Sequence, residues 1–133
     1  MRESFARQKF MATIHAELVR VAAGEVDIQV PHDPRLSQQH GFLHAGVVTA
    51  AVDSACGYAA LTLMAEEAEV LTVELKINLL EPATGQHLLA RGRVLRSGRT
   101  LTVCRGEAVA VNDASETIVA TLLTTMMAVH VGG

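Results

Sequence analysis

The 133 residues suit one domain and leave little room for a second. Half of them are hydrophobic, yet there are only three Phe, one Tyr and no Trp, so the core must be built from aliphatic side chains. A net charge of -3 with interspersed signs, and no aromatics interleaved with basic residues, argues against nucleic acid or an anionic membrane surface as partner.

In chain order, Arg2, Glu3, Arg7 and Lys9 have no apolar run behind them, so no signal peptide is expected. Residues from about Glu3 to Met11 read as one short amphipathic helix, with Phe5, Phe10 and Met11 for its apolar face. Leu18 to Ala22 and Val26 to Val30 read as strands joined by an Ala23-Gly24 turn. Pro31 and Pro34 end regular structure, and the polar stretch to Gln39 is loop. From His44 to about Glu66 the chain is apolar all round and Ala-rich, which predicts a long helix wrapped by its own protein. Asp53 in its middle makes a membrane-spanning reading poor.

Beyond it, Leu71, Val73, Leu75, Ile77 and Leu79 alternate with Thr72, Glu74, Lys76 and Asn78, the period of a half-buried strand. Pro82 and Gly85 mark a turn. His87 to Arg96 and Thr100 to Val111 read as a hairpin about Ser97-Gly98, and after a turn at Asn112-Asp113 a last strand runs from Thr117 to Val131. Strands segregated from one buried helix predict an α+β domain over residues 1–133, with an antiparallel sheet of about five or six strands wrapped around one long central helix.

Asp53 is the residue least at ease. Thr49, Ala50, Cys56 and Gly57, one turn away, offer no cation, and burying its carboxylate would raise its pKa and make it a candidate general base or nucleophile. The plain alternative is that it lies on a solvent-facing strip of the helix. The run Gly41-Phe42-Leu43-His44-Ala45-Gly46 begins that helix, where unpaired N–H groups and the positive end of the macrodipole could stabilise an oxyanion. Gly46 would let a substrate carbonyl approach closely, or the glycines only shape the turn.

Other chemistries find less support. His40 and His44 are four apart, but Gly41 interrupts the helix that would pair them and no third ligand is near, so no metal is expected. Neither Ser54 nor Ser97 sits in a nucleophile elbow, and Cys56 and Cys104 read as core thiols in a reducing, cytoplasmic, soluble protein. Ser97-Gly98-Arg99 is a hairpin turn, not a phosphate-binding loop.

The stretch His40 to Asp53, HGFLHAGVVTAAVD, resembles the helix-start motif of the phenylacetyl-CoA-type thioesterases of the hotdog superfamily. Gly41, His44, Gly46 and Asp53 fall on its spacing. Leu71 to Ala83 is similar to that family's strand ending in a Pro-Ala turn, and Arg96-Ser97-Gly98-Arg99 to its basic turn. The likeness spans roughly Leu18 to Val129.

It implies a hotdog fold, hydrolysis of an acyl-CoA thioester, and CoA as part of the substrate with no separate cofactor. Asp53 would attack the thioester or activate water, the Gly46 N–H would polarise the carbonyl, and His44 would fix the loop or touch the carbonyl side. Thr72 would come to the attacking water from a neighbouring subunit. Ala45 stands where the family has the first Gly of a pair, and Gln38 where relatives carry Asn to hold the water.

A hotdog dehydratase or hydratase, or a non-catalytic acyl-CoA-binding module, remains as an alternative. The CoA nucleotide is expected across Arg96, Gly98 and Arg99, whose plain alternative is a solvated hairpin tip. Gly46 and Asp53 lie ~10 Å apart along a helix axis, which suits a site shared by two chains of a homodimer or homotetramer.

Overall fold

The computed structural model describes residues 1–130. Two short helices, α1 (Arg2–Arg7) and α2 (Lys9–Thr13), lead into a hairpin of β1 (Glu17–Ala22) and β2 (Glu25–Pro31). A 3-10 turn (Pro34–Leu36) and a loop precede the long helix α3 (Ala45–Leu61). Then come β3 (Ala68–Leu79), β4 (His87–Ser97), β5 (Leu101–Asn112) and β6 (Ser115–His130). The strands form one antiparallel sheet in the order β1-β2-β4-β5-β6-β3, which places β3 at the edge opposite β1.

The sheet wraps α3 because both surfaces are cut to fit. Val26, Ile28 and Val30 of β2, Leu88 and Ala90 of β4, Cys104 and Ala108 of β5, and Ala120, Leu122 and Met126 of β6 meet the helix residues Val48, Ala51, Val52, Ala55 and Ala59. Gly92 and Gly106 pair across β4 and β5 under the helix. A methyl at Gly92 would strike the Ala55 and Cys56 backbone, and one at Gly106 would strike Val52 and Cys56. The Ala-rich helix and the paired glycines therefore bring backbone against backbone. Both thiols are fully buried, and burial raises their pKa, to about 11 for Cys104, so they stay protonated core groups.

Two helix boundaries differ from expectation, each for a local reason. The N-terminal helix is two helices, broken where Gln8 is extended and its side chain reaches across to Tyr58. α3 stops at Leu61 rather than Glu66, because Thr62 turns its hydroxyl onto the Ala59 carbonyl and accepts from the Gly24 N–H. The last strand's final predicted residue, Val131, lies outside the described residues.

The largest difference is in β3. Its alternation breaks at a bulge: Thr72 pairs with Met126 and Glu74 with Thr125, leaving Val73 as the extra residue. Leu75, Ile77 and Leu79 keep the helix-facing side, but before the bulge that side belongs to Val70 and Thr72. Leu71 and Val73 stand 56% and 55% exposed, so the five-residue apolar face read from the sequence is two half-faces.

Candidate active site

Two clusters of polar groups lie along α3. The first is at its N-terminus. His44 is the N-cap, and its Nδ1 accepts from the Gly46 N–H at 2.8 Å. An accepting Nδ1 carries no proton, which places the ring hydrogen on Nε2. The loop before it is closed by Gln38, whose Oε1 accepts from the His40 N–H at 2.6 Å and the Phe42 N–H at 3.3 Å. The Leu43 N–H donates to the Ala83 carbonyl at 3.0 Å and ties the loop to the Pro82-Ala83 turn. Between them lies a cavity of about 450 Å³ lined by Gln38, Phe42, His44, Val48, Leu79 and others.

The Gly46 amide is therefore already held by His44. Ala45 precedes it as the first residue of the helix, and among the described residues no group accepts from its N–H. Of these two amides, the one without an acceptor is that of Ala45, the residue that departs from the Gly-Gly pair.

The second cluster surrounds Asp53. Thr72 donates from Oγ1 to Asp53 Oδ1 at 2.8 Å within the same chain, which corrects the expectation that Thr72 comes from a neighbouring subunit. The bulge at Val73 is what turns Thr72 inward. Its hydroxyl also lies 3.3 Å from the Met126 sulfur, but a carboxylate is much the stronger acceptor for its one hydrogen. Asp53 is half-buried, not on an open strip. Burial pushes its pKa up, and the Thr72 bond pulls it partly back. Among the described residues no cation pairs with it. It opens into a second cavity, about 290 Å³, bounded by Gly57, Tyr58, Thr72 and Met126 and backed by Ser4 and Gln8 of the N-terminal segment. Sequence reading missed Gly57 and Tyr58 as site residues, although a spacing of four places Gly57 directly beside Asp53 on the helix.

The two clusters are not joined within one chain: no residue lines both cavities. The basic turn joins neither. Arg96 and Arg99 are exposed, and Gly98 donates to the Leu101 carbonyl at 2.8 Å to close the hairpin. The turn sits where β3 begins, since the Ala128 N–H, beside Val70, donates to Thr100. That is the Asp53 half of the molecule, away from the loop that holds His44. Among the described residues, no group of three or more His, Cys, Asp or Glu side chains is placed to hold a metal, and no helix is long and apolar enough to cross a membrane.

A six-stranded antiparallel sheet wrapped on one long helix is the hotdog fold. The chain belongs to the thioesterase superfamily, whose family model matches residues 40–117. Its structure superposes on that of a thioesterase family protein from Silicibacter pomeroyi with a TM-score of 0.95, 51% identity, and coverage of 97% of this chain and 95% of that one. The E. coli PaaI protein, from the phenylacetic acid degradation operon, shares the fold at a TM-score of 0.86 and 16% identity, over 99% of this chain and 91% of that one. A candidate esterase of Saccharolobus solfataricus, SSO2140, is 32% identical over 68% of this chain, and the match spans 64% of that relative's length.

Proposed function

We propose that this protein hydrolyses an acyl-CoA thioester to the free acid and CoA, at a site shared by two copies of the chain. The observation that carries this reading is Asp53: a carboxylate kept half-buried, with no cation among the described residues, given one hydroxyl donor and turned to a cavity. Such a group is costly to structure and useful to chemistry. Membership of the thioesterase superfamily supports thioester hydrolysis as the reaction class.

In the proposed step Asp53 takes a proton from water as the water oxygen attacks the thioester carbon. The carbonyl oxygen becomes an oxyanion, which the Ala45 N–H of the second copy stabilises with the positive end of its helix. The C–S bond breaks, its electron pair leaves on sulfur, and the proton on Asp53 passes to the thiolate. Gln38 and His44 hold the loop that presents Ala45, and Thr72 orients Asp53. Direct attack by Asp53 would pass through an anhydride, and label from isotopic water that enters Asp53 in a single turnover would mark that route.

β3 supports a shared site. This twelve-residue strand has a neighbour on one side only and exposes Leu71, Val73, Leu75 and Leu79. Its free edge suits self-pairing. Antiparallel pairing of two copies would lay the Thr72 half of one strand beside the Leu79 half of the other, bringing the Asp53 cavity to the partner's loop cavity. Arg96 and Arg99 remain the candidates for the CoA phosphates. A dehydratase would need His44 and Asp53 to act as a pair, and the His44 Nδ1 is instead turned onto Gly46. Thiol release from a panel of acyl-CoAs, with light scattering for assembly, tests the reading. No release from any member, or a stable monomer that is fully active, overturns it.

A further inference from the structure

The loop that enters α3 is exposed along much of its length, yet its amides are held one after another. The His40 and Phe42 N–H groups donate to Gln38 Oε1, and the Gly41 N–H donates to the Gln38 carbonyl at 3.0 Å. The Leu43 N–H donates to the Ala83 carbonyl, and the His44 N–H to the Leu36 carbonyl at 2.9 Å. Beyond them the Gly46 N–H is held by His44, so Ala45 is the gap in the series. With little packing around it, the loop takes its shape from these bonds.

Among the described residues, one side chain from outside the loop and the helix takes part. His32 Nε2 lies 3.1 Å from the Gly41 carbonyl, which can only accept, so Nε2 is the donor. The Gly41 carbonyl and the Phe42 N–H are two ends of one peptide unit, and they point in opposite directions across its plane. His32 holds one end and Gln38 the other. The loop has most need of a holder at this point. Gly41 has φ +86, and a Cβ there would meet nothing within 4 Å, so no side chain or close neighbour fixes the peptide that follows. The mount is firm. The His32 N–H donates to the Gln86 carbonyl at 3.0 Å, just past the Pro31–His87 pair of β2 and β4. Asp33, the next residue, caps the 3-10 turn by accepting from the Arg35 N–H at 2.9 Å. The sheet thus reaches the loop through one imidazole.

Resting on the hydrolase reading above, we infer that His32 is a positioning residue: by fixing the Gly41–Phe42 peptide it sets the direction in which the loop delivers the Ala45 N–H. It touches no reacting group. If that peptide turns, Gln38 loses the Phe42 N–H and the chain changes course just ahead of Ala45. The cost should fall on the transition state, where the oxyanion forms, more than on substrate binding. Gln can replace His here, because its amide nitrogen reaches about as far as Nε2 and also donates. Phe fills the space and donates nothing.

The test compares His32→Phe and His32→Gln with the intact protein, by thiol release from a panel of acyl-CoAs and by amide exchange followed in NMR spectra. In His32→Phe kcat should fall about fivefold, the worth of one hydrogen bond, with KM within about twofold of the parent. In His32→Gln kcat should return to within about twofold of the parent. The exchange measurement needs no turnover. In His32→Phe the Phe42 amide should exchange at least about fivefold faster, while the Leu43 amide, held from Ala83, should keep its rate. That exchange pattern without thiol release by the intact protein would remove the hydrolase reading and leave the positioning of the loop standing. With hydrolysis present, an unchanged kcat in His32→Phe, a loss carried by KM alone, or equal losses in the two variants would overturn the inference alone. So would a Phe42 amide that keeps its rate, or a Leu43 amide that quickens as much as Phe42. No thiol release and no change at Phe42 would overturn both.

Discussion

The two polar clusters along α3 meet opposite electrostatic conditions. At the N-terminus the helix offers unpaired amides and partial positive charge, and the chain there is all hydrogen bonding: His44 holds Gly46, and Gln38 holds His40 and Phe42. Two turns on, a half-buried carboxylate lies beside Gly57 and Met126, and among the described residues the one side chain that hydrogen-bonds to it is Thr72. The first end is stabilised by what it binds within the chain, and at the second, burial disfavours the charge and among the described residues no cation offsets it. In the proposed reaction a held donor and a half-buried base are complementary parts, and their ~10 Å separation along α3 is what calls for a second chain.

Removing the base should separate the two ends most sharply. Asp53→Asn should lower kcat by at least about a hundredfold, measured as thiol release, with folding and assembly intact. Mixing it with chains disabled at the loop should restore part of the activity, because some mixed dimers carry one complete site. Failure of complementation between exchanging subunits would break the shared-site geometry. Ala45→Pro tests the other end. Proline is accepted at the first helical position, and His44 already has the extended backbone that must precede it, with φ -61 and ψ 138. The substitution deletes one N–H and should cost about a hundredfold or more in kcat, with the circular dichroism spectrum unchanged.

Smaller effects should come from tuning the base. Thr72→Val removes the bond that lowers the Asp53 pKa, so the acid limb of the kcat/KM profile should move to higher pH, while Thr72→Ser should leave it in place. The smallest effect is on stability. Because the folded pKa of Asp53 is raised, the native state holds its proton longer than the unfolded chain, and native stability falls as pH rises from the ordinary Asp range through the raised value. Asp53→Asn lacks this loss, so its Tm should exceed that of the parent at neutral pH, and the gap should close in acid.

The helix, the hairpins and their order were legible in the sequence because they rest on local periodicity and on turn residues such as Asn112-Asp113. Asp53 was legible as the one charge in an apolar run. What sequence could not supply came from tertiary contact. The break at Gln8 depends on Tyr58, fifty residues away, and the early stop at Leu61 on a hydroxyl that also serves Gly24. The change of donor from Gly46 to Ala45 depends on which nitrogen of His44 faces the helix, a matter of rotamer rather than spacing. Tyr58, Ser4 and Gln8 were invisible as a group until two distant segments were folded together.

The extra residue in β3 has a kinetic consequence. A slip of one residue against β6 ahead of Val73 would iron out the bulge, turn Leu71 and Val73 to the helix and send Thr72 outward. That register would turn Leu71 and Val73 inward in place of Val70 and Thr72, with Glu69 as its penalty, so the first half of the strand is offered a competitor that the second half, held by Ile77 against the core, is not. Amide hydrogens from Val70 to Val73 should therefore exchange with solvent faster than those from Leu75 to Leu79 of the same strand, and the conformers that exchange them should be ones in which Asp53 has lost its hydroxyl partner.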